Sequence, residues 1–135
     1  MSTRYEDLFR SLHNRGEGAF VPFLMLGDPT PEHTLAIVRT VVAAGADALE
    51  LGVPFSDPVA DGPTIQASHL RALDGGATVD SALEQVRAIR AEFPELPIGM
   101  LIYGNVAFTR GFDRFYAEFA AVSYTHLTLP TSDLV

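Results

Sequence analysis

Short apolar runs alternate with helical segments three times along this chain of 135 residues, and this alternation limits the fold more than any other feature. A βα repeat of this kind requires a parallel sheet with right-handed crossovers. A further helix over residues 5–12 precedes the first repeat. The predicted strands cover residues 20–26, 46–52 and 98–103. The predicted crossover helices start at Thr30, Thr78 and Arg110, and a short helix is predicted from Pro63, after the loop that follows the second strand.

Two α/β architectures fit this pattern, an open doubly wound sheet and a (β/α)₈ barrel. Glu50 lies at the carboxyl end of the second predicted strand, and barrel active sites gather at that end. Alternation along the strand sends Ala48 and Glu50 to one face and Leu49 and Leu51 to the other. We therefore predict part of a TIM (β/α)₈ barrel, with Glu50 facing the lumen and the leucines facing the helices.

Charge and composition exclude several classes of partner. The formal net charge is −8, whereas proteins that bind nucleic acids or anionic membranes need a basic surface. The chain has no cysteine, its first residues lack a signal-peptide pattern, and its apolar runs are too short to span a bilayer. These features predict a cytoplasmic globular domain that acts on a small molecule or another protein.

The most chemically informative segment is residues 49–66, LELGVPFSDPVADGPTIQ. The neighbouring leucines are expected to desolvate Glu50 and raise its pKa, so that this carboxyl can both donate and accept a proton near neutral pH. Asp61 lies in a Pro-rich loop and is expected to stay ionised. Two carboxyl groups in such different environments can divide acid and base roles within one site.

This segment resembles the strand and loop that carry the catalytic carboxylates in tryptophan synthase α subunits. The resemblance covers about residues 3–122, and it includes the run FVPFLMLGDP at 20–29 and the helix at 5–12, which is similar to one that closes the bottom of the family's barrel. Family members are about twice as long as this chain. The resemblance therefore implies the amino-terminal half of such a barrel, with three βα units after a first helix.

The resemblance also implies roles for individual residues. Glu50 and Asp61 match the two catalytic carboxylates. The positions that match the substrate pocket are Phe23, Leu101 and Tyr103, and those that match the surface facing the β subunit are Pro54, Asp57 and Asn105.

By the same resemblance, the implied reaction is cleavage of indole-3-glycerol phosphate to indole and glyceraldehyde 3-phosphate, within an α₂β₂ complex and without metal or organic cofactor. Glu50 would move protons, and Asp61 would stabilise the cationic intermediate at the indole N–H. The family's phosphate loops follow later strands, so this chain alone is expected to be inactive.

Two other functions remain open. Another phosphate-handling barrel lyase or isomerase would share the βα pattern but not the paired carboxylates, and a non-catalytic fragment would use the loop 54–61 only to dock a partner.

Several residues also have simpler structural interpretations. Asp61 precedes Gly62 and Pro63 and could cap the following helix. The spacing of His13, His33 and His69 indicates no metal site and favours surface or helix-face positions. Gly75 and Gly76 form a predicted turn. Phe112, Phe115, Tyr116 and Phe119 form one apolar helix face, of which the three phenylalanines are predicted to lie in the core.

The last residues depart from the family pattern. After Ala121 the family continues with a turn and a fourth strand, whereas this chain reads VSYTHLTLPTSDLV. That segment resembles the translation of a transposon adaptor used in sequencing libraries. We therefore predict a barrel segment at residues 1–121 and a foreign tail at residues 122–135.

Overall fold

The structure is a computed structural model that describes residues 3–122 together with the backbone of residues 126–128. Within these residues, one parallel sheet is flanked by helices, as the βα pattern predicts. The helices are α1 (Arg4–Arg15), α2 (Thr34–Ala43), α3 (Pro63–Asp74), α4 (Val79–Glu92), α5 (Gly104–Arg110) and α6 (Phe112–Ala121), and the strands are β1 (Phe23–Met25), β2 (Leu49–Gly52), β3 (Ile98–Leu101) and β4 (His126–Thr128).

The four strands are parallel and lie side by side in chain order, β1-β2-β3-β4. In a doubly wound sheet the order in which strands are added reverses at a switch point near the centre, whereas a barrel adds each new strand beside the previous one. Phe23, Glu50 and Gly99 lie opposite one another across β1, β2 and β3. The strand order therefore agrees with the predicted partial barrel.

The main core lies between the sheet and the crossover helices. Leu49 and Leu51 of β2 are fully buried in it, and Glu50 between them is only half-buried. This difference follows from the alternation of side chains along a strand. The helices cover this face with fully buried residues that include Val38, Val86, Ile89, Phe115 and Phe119.

Two helices begin with complete capping boxes. The Thr3 hydroxyl accepts a hydrogen bond from the Glu6 backbone N–H, and Thr78 and Ser81 form the same reciprocal pair at the start of α4. Such caps satisfy backbone N–H groups that have no partner inside the helix. The sequence correctly predicts the cap at Thr78.

The third crossover is not the single helix that the sequence predicts from Arg110. It consists of α5, which ends at Arg110, and α6, which begins at Phe112. Gly111 lies between them with φ of 88°, a left-handed conformation that no helical residue adopts. Of the three phenylalanines predicted to lie in the core, Phe115 and Phe119 are fully buried, whereas Phe112 is 43% exposed.

The helix that the sequence predicts from Thr30 also begins later in the structure. Thr30 precedes a 3₁₀ turn over Pro31–His33 and makes no side-chain cap, and α2 follows at Thr34. The strands are shorter than the apolar runs that predicted them. Their flanks still make sheet-like backbone bonds, such as that from the Glu50 N–H to the Pro22 carbonyl at 3.0 Å.

The structure adds a fourth strand, β4, in the segment that the sequence predicts to be foreign. β4 pairs in parallel with β3, and Gly99 lies opposite His126. Most of the predicted tail lies outside the described residues, so its origin stays a prediction. Among the helices of the described residues, none is both long and apolar enough to cross a membrane.

Candidate active site

Glu50 and Asp61 line the same cavity, which has a volume of about 470 Å³. β2 supplies Glu50, and the loop that follows β2 supplies Asp61. The remaining walls are apolar, so this cavity offers hydrophobic surface beside two carboxyl groups. Its other lining residues are Val21, Phe23, Ile65 and Leu101.

Glu50 points to the sheet face opposite the main core, where Gly99 makes room for it. A Cβ atom added to Gly99 would lie 2.5 Å from Glu50 Oε2 and 3.0 Å from the Tyr5 hydroxyl. Glu50 and Tyr5 therefore meet above Gly99. Burial, and secondly the negative charge of Glu50, raise the pKa of Tyr5.

Asp61 is held through one carboxylate oxygen by two side chains. The Tyr103 hydroxyl donates to Asp61 Oδ2 at 2.8 Å, and His69 Nε2 lies 3.1 Å from the same oxygen. The Tyr103 oxygen in turn accepts the Ala60 N–H at 3.0 Å. Burial and then the bond to Asp61 raise the pKa of Tyr103 to about 12, so the phenol remains protonated and able to donate at neutral pH.

Asp61 does not cap α3, contrary to one of its sequence interpretations. The cap residue is Gly62, and no side chain bonds to the helix start. The Asp61 carboxylate is instead turned toward Tyr103 and His69. Its backbone carbonyl accepts a bond from the Gln66 side-chain amide at 2.7 Å, which ties the loop to the first turn of α3.

His69 is the site residue that the sequence analysis missed. Of the two positions predicted for it, a surface position is wrong, because only 3% of the residue is exposed, whereas a position on a helix face is confirmed, because His69 lies on α3. His13 and His33, by contrast, are exposed as predicted. The available signal was the spacing from Asp61, since a helix that starts directly after this residue brings its second turn back beneath the loop.

The other predicted pocket residues lie around the two carboxyl groups. Phe23 and Leu101 line the cavity itself, and Tyr103 lines a narrow recess that joins it beside Asp61 and His69. The Phe55 ring stacks on the Tyr103 ring with their centroids 5.0 Å apart. The sequence therefore predicted a set of side chains that the fold brings together.

The residues predicted to face a partner lie outside this cavity. Pro54 and Asn105 line a separate groove of about 510 Å³, together with Arg110 and Arg114. Asp57 is exposed on the neighbouring loop, and its carboxylate accepts a bond from the Ser56 hydroxyl at 2.7 Å.

Arg110 is tied to the helices around this groove, because it pairs with Asp80 at 2.6 Å and also with Glu118. In the part of the chain that the structure describes, no three His, Asp or Glu side chains are grouped to hold a metal ion.

Comparisons with known proteins give a consistent result. Residues 9–132 match the family model described as "Tryptophan synthase alpha chain", a range that includes part of the predicted tail. The chain is 75% identical over 128 residues to the tryptophan synthase alpha chain of Corynebacterium diphtheriae and 69% identical to that of Corynebacterium glutamicum. Each alignment covers 95% of this chain and 46% of the relative.

Solved structures show the same likeness. Tryptophan synthase subunit alpha of Legionella pneumophila is 34% identical, with a TM-score of 0.91 over 99% of this chain and 50% of the other. A tryptophan synthase structure from M. tuberculosis is 32% identical, with a TM-score of 0.87. This chain thus spans about half the length of the curated relatives that it matches.

Proposed function

The chain belongs to the tryptophan synthase alpha chain family, and on this basis we propose that it is the acid-base half of a lyase that cleaves indole-3-glycerol phosphate to indole and glyceraldehyde 3-phosphate. The observation that carries the proposal is the placement of Glu50 and Asp61 on one apolar cavity. A flat indole ring fits such walls, and the two carboxyl groups supply the polar contacts that the reaction needs.

The cleavage is a retro-aldol reaction. Indole C3 gains a proton, the hydroxyl on the adjacent side-chain carbon loses one, and the bond between these two carbons breaks. The bond electrons return to the ring as aromatic indole, and the hydroxyl carbon becomes the aldehyde of glyceraldehyde 3-phosphate. In this proposal Glu50 delivers and accepts the protons, because it is the carboxyl on the strand beneath the cavity.

Asp61 has a different part in the proposal. Protonation at C3 places positive charge on the indole nitrogen, and an ionised carboxylate beside the N–H stabilises it. Tyr103 and His69 occupy Asp61 Oδ2, and within residues 3–122 no hydrogen bond reaches Oδ1. Oδ1 is therefore the oxygen that we assign to the substrate N–H.

We further propose that the groove at Pro54 and Asn105, with Asp57 beside it, faces a tryptophan synthase β subunit in an α₂β₂ complex. The groove combines the loop after β2 with the start of α5 and lies outside the cavity. A partner bound there would touch the loop that carries Asp61. We place this activity in the cytoplasm.

The test uses a completed protein, in which the carboxyl-terminal part of the Corynebacterium diphtheriae relative follows residues 1–121 of this chain and replaces residues 122–135. We expect indole release from indole-3-glycerol phosphate, and we expect Glu50→Gln and Asp61→Asn each to lower it by at least about 10², given the usual size of acid-base contributions. Circular dichroism and thermal unfolding would check that each variant folds.

Glu84→Gln is the matched control, because Glu84 is exposed on α4 away from the cavity. Near-normal turnover by Glu50→Gln would remove the proposed proton shuttle. Binding of the β subunit without any lyase activity would instead favour the docking function, and turnover of a different sugar phosphate would favour another barrel lyase or isomerase.

A further inference from the structure

The His69 ring joins the two ends of the loop that follows β2. Its Nδ1 atom accepts a hydrogen bond from the Phe55 backbone N–H at 2.9 Å, near the start of the loop. Its Nε2 atom lies 3.1 Å from Asp61 Oδ2, at the end of the loop. The side chain is 4% exposed, so water does not compete strongly for these bonds.

These two contacts determine the tautomer of His69. A backbone N–H can only donate, so Nδ1 must present a lone pair to Phe55. The single proton of the neutral ring then lies on Nε2, where it is donated to Asp61. The opposite tautomer would place two donors face to face at Phe55 and leave two acceptors facing each other at Asp61.

The same contacts orient the Asp61 carboxylate. His69 and Tyr103 both bond to Oδ2, from α3 and from the residues after β3 respectively. Two donors on one oxygen fix the rotation of the carboxylate, and the hydrogen-bonding capacity of Oδ1 is kept for another group. The side chain is 19% exposed, so Asp61 retains access to the cavity.

We propose that His69 is a positioning residue, which orients Asp61 for the indole N–H and at the same time fastens the loop at Phe55. The catalytic consequence of this role rests on the proposed function. The tautomer of His69 and its bond to the loop at Phe55 rest on geometry alone. Because Phe55 also lines the partner-facing groove, His69 connects the position of that loop to the position of Asp61.

Two substitutions in the completed protein separate these contacts. His69→Leu removes both bonds at similar volume, whereas His69→Gln keeps an amide donor near the position of Nε2 and loses the acceptor at Nδ1. We expect His69→Leu to lower kcat about 10-fold with a smaller change in KM, since the lost bond from His69 to Asp61 orients the carboxylate that stabilises the transition state. We expect the kcat of His69→Gln to stay within about threefold of wild type. The exposed His13→Gln is the control.

Two further measurements do not depend on activity. In ¹⁵N-histidine spectra of the wild-type protein, His69 should show the Nε2–H tautomer. Hydrogen exchange at the Phe55 amide should be at least about 10-fold faster in both His69 variants than in wild type or His13→Gln, because both lose its acceptor.

The outcomes distinguish the two proposals. A completed protein without lyase activity would remove the proposed function, while the tautomer and the Phe55 exchange would still decide the role of His69. A Nδ1–H tautomer, or unchanged exchange at Phe55 in both variants, would overturn the positioning role. In an active protein, equal losses of kcat in His69→Leu and His69→Gln would overturn its catalytic part.

Discussion

At the scale of single residues, the absence of a side chain at Gly99 leaves the space that the carboxyl group of Glu50 occupies. An added Cβ would lie 2.5 Å from Glu50 Oε2, closer than such atoms approach each other. We expect Gly99→Ala to displace the carboxylate and to lower indole release by about 10-fold to 10²-fold in the completed protein, because small displacements of a reacting group are costly. Steady-state turnover measures this loss.

The stability of Gly99→Ala should change little, within about 1 kcal/mol, since the obstacle is the end of a movable side chain. Gly18→Ala is the control, because no atom lies within 4 Å of the added Cβ there. Unchanged turnover in Gly99→Ala would show that Glu50 does not act from the position that it occupies beside Gly99.

Tyr103 gives a prediction about pH. Its pKa is raised from 10.0 to about 12, so the folded state holds the phenol proton more tightly than the unfolded state does. The resulting stabilisation is complete below pH 10 and is lost as the pH rises from 10 to about 12. We expect Tyr103→Phe to make the alkaline decline in the free energy of unfolding shallower, as measured by urea titrations across this range.

An absorbance titration provides a second measurement for the same residue. The phenolate signal that develops near pH 12 should lose the contribution of Tyr103 in Tyr103→Phe, whereas Tyr116→Phe serves as a control on a partly exposed ring. An unchanged titration curve near pH 12 in Tyr103→Phe would contradict the proposed burial and bonding of this hydroxyl.

At the scale of elements, Thr30 and Thr78 are both predicted to start a helix, but they have different structures. Thr78 forms a capping box with Ser81, whereas Thr30 makes no side-chain cap. We expect Thr78→Ala to lower the free energy of unfolding by about 1 kcal/mol and Thr30→Ala to lower it by less than about 0.5 kcal/mol. Urea unfolding of the completed protein measures both, and equal effects would contradict the assigned caps.

Local patterns predicted the elements whose causes are local. Alternation in β2 separates Leu49 and Leu51 from Glu50, and the Thr78 cap needs only residues within one turn. The bond between Tyr103 and Asp61 joins residues 42 positions apart, which no local period encodes. The break at Gly111 was not predicted, because the spacing of the aromatic residues from Phe112 onward indicates a helix but does not indicate the residue at which that helix begins.

The site was predicted to a similar extent. Glu50 and Asp61 line one cavity, because the carboxyl ends of parallel strands and the loops that follow them lie at the same end of a barrel. Their catalytic roles stay a prediction. The sequence also suggested a cap at Asp61 that does not form, since Tyr103 and His69 compete for the carboxylate. His69 lies eight residues from Asp61 but Tyr103 lies 42 residues away, so the helix-cap pattern around Asp61 did not include the Tyr103 bond.

At the scale of the whole molecule, we propose the division predicted from the sequence, with an evolved barrel segment at residues 1–121 and a foreign tail at 122–135. The change in pattern after Ala121 supports it. The family match extends to residue 132, and β4 lies at His126–Thr128, so the question needs a direct test. Sequencing the source DNA across the codon for Ala121 decides it, because reads that continue into genomic sequence identical to this tail would contradict a foreign origin.

The described sheet is one arc of a barrel that needs eight strands. Among the described residues, β1 pairs only with β2, so its other edge has no strand beside it. Helices α2, α4, α5 and α6 cover one face of the sheet, whereas Glu50 and the cavity lie on the other. Unpaired edges and open apolar faces favour association between chains.

We therefore expect the 135-residue chain by itself to be catalytically inert and poorly folded. The family's phosphate loops follow later strands, and without a group to hold the phosphate the bond to be broken is not positioned between Glu50 and Asp61. Indole release should stay at background, and hydrogen exchange should show weak amide protection across β1, β2 and β3. The completed protein, assayed in parallel, supplies the positive control for both measurements. Turnover above background, or uniform strong protection in a monomer of the 135-residue chain, would instead establish this arc of the barrel as a functional unit, in which the paired strands and the His69 and Tyr103 contacts suffice to hold the site.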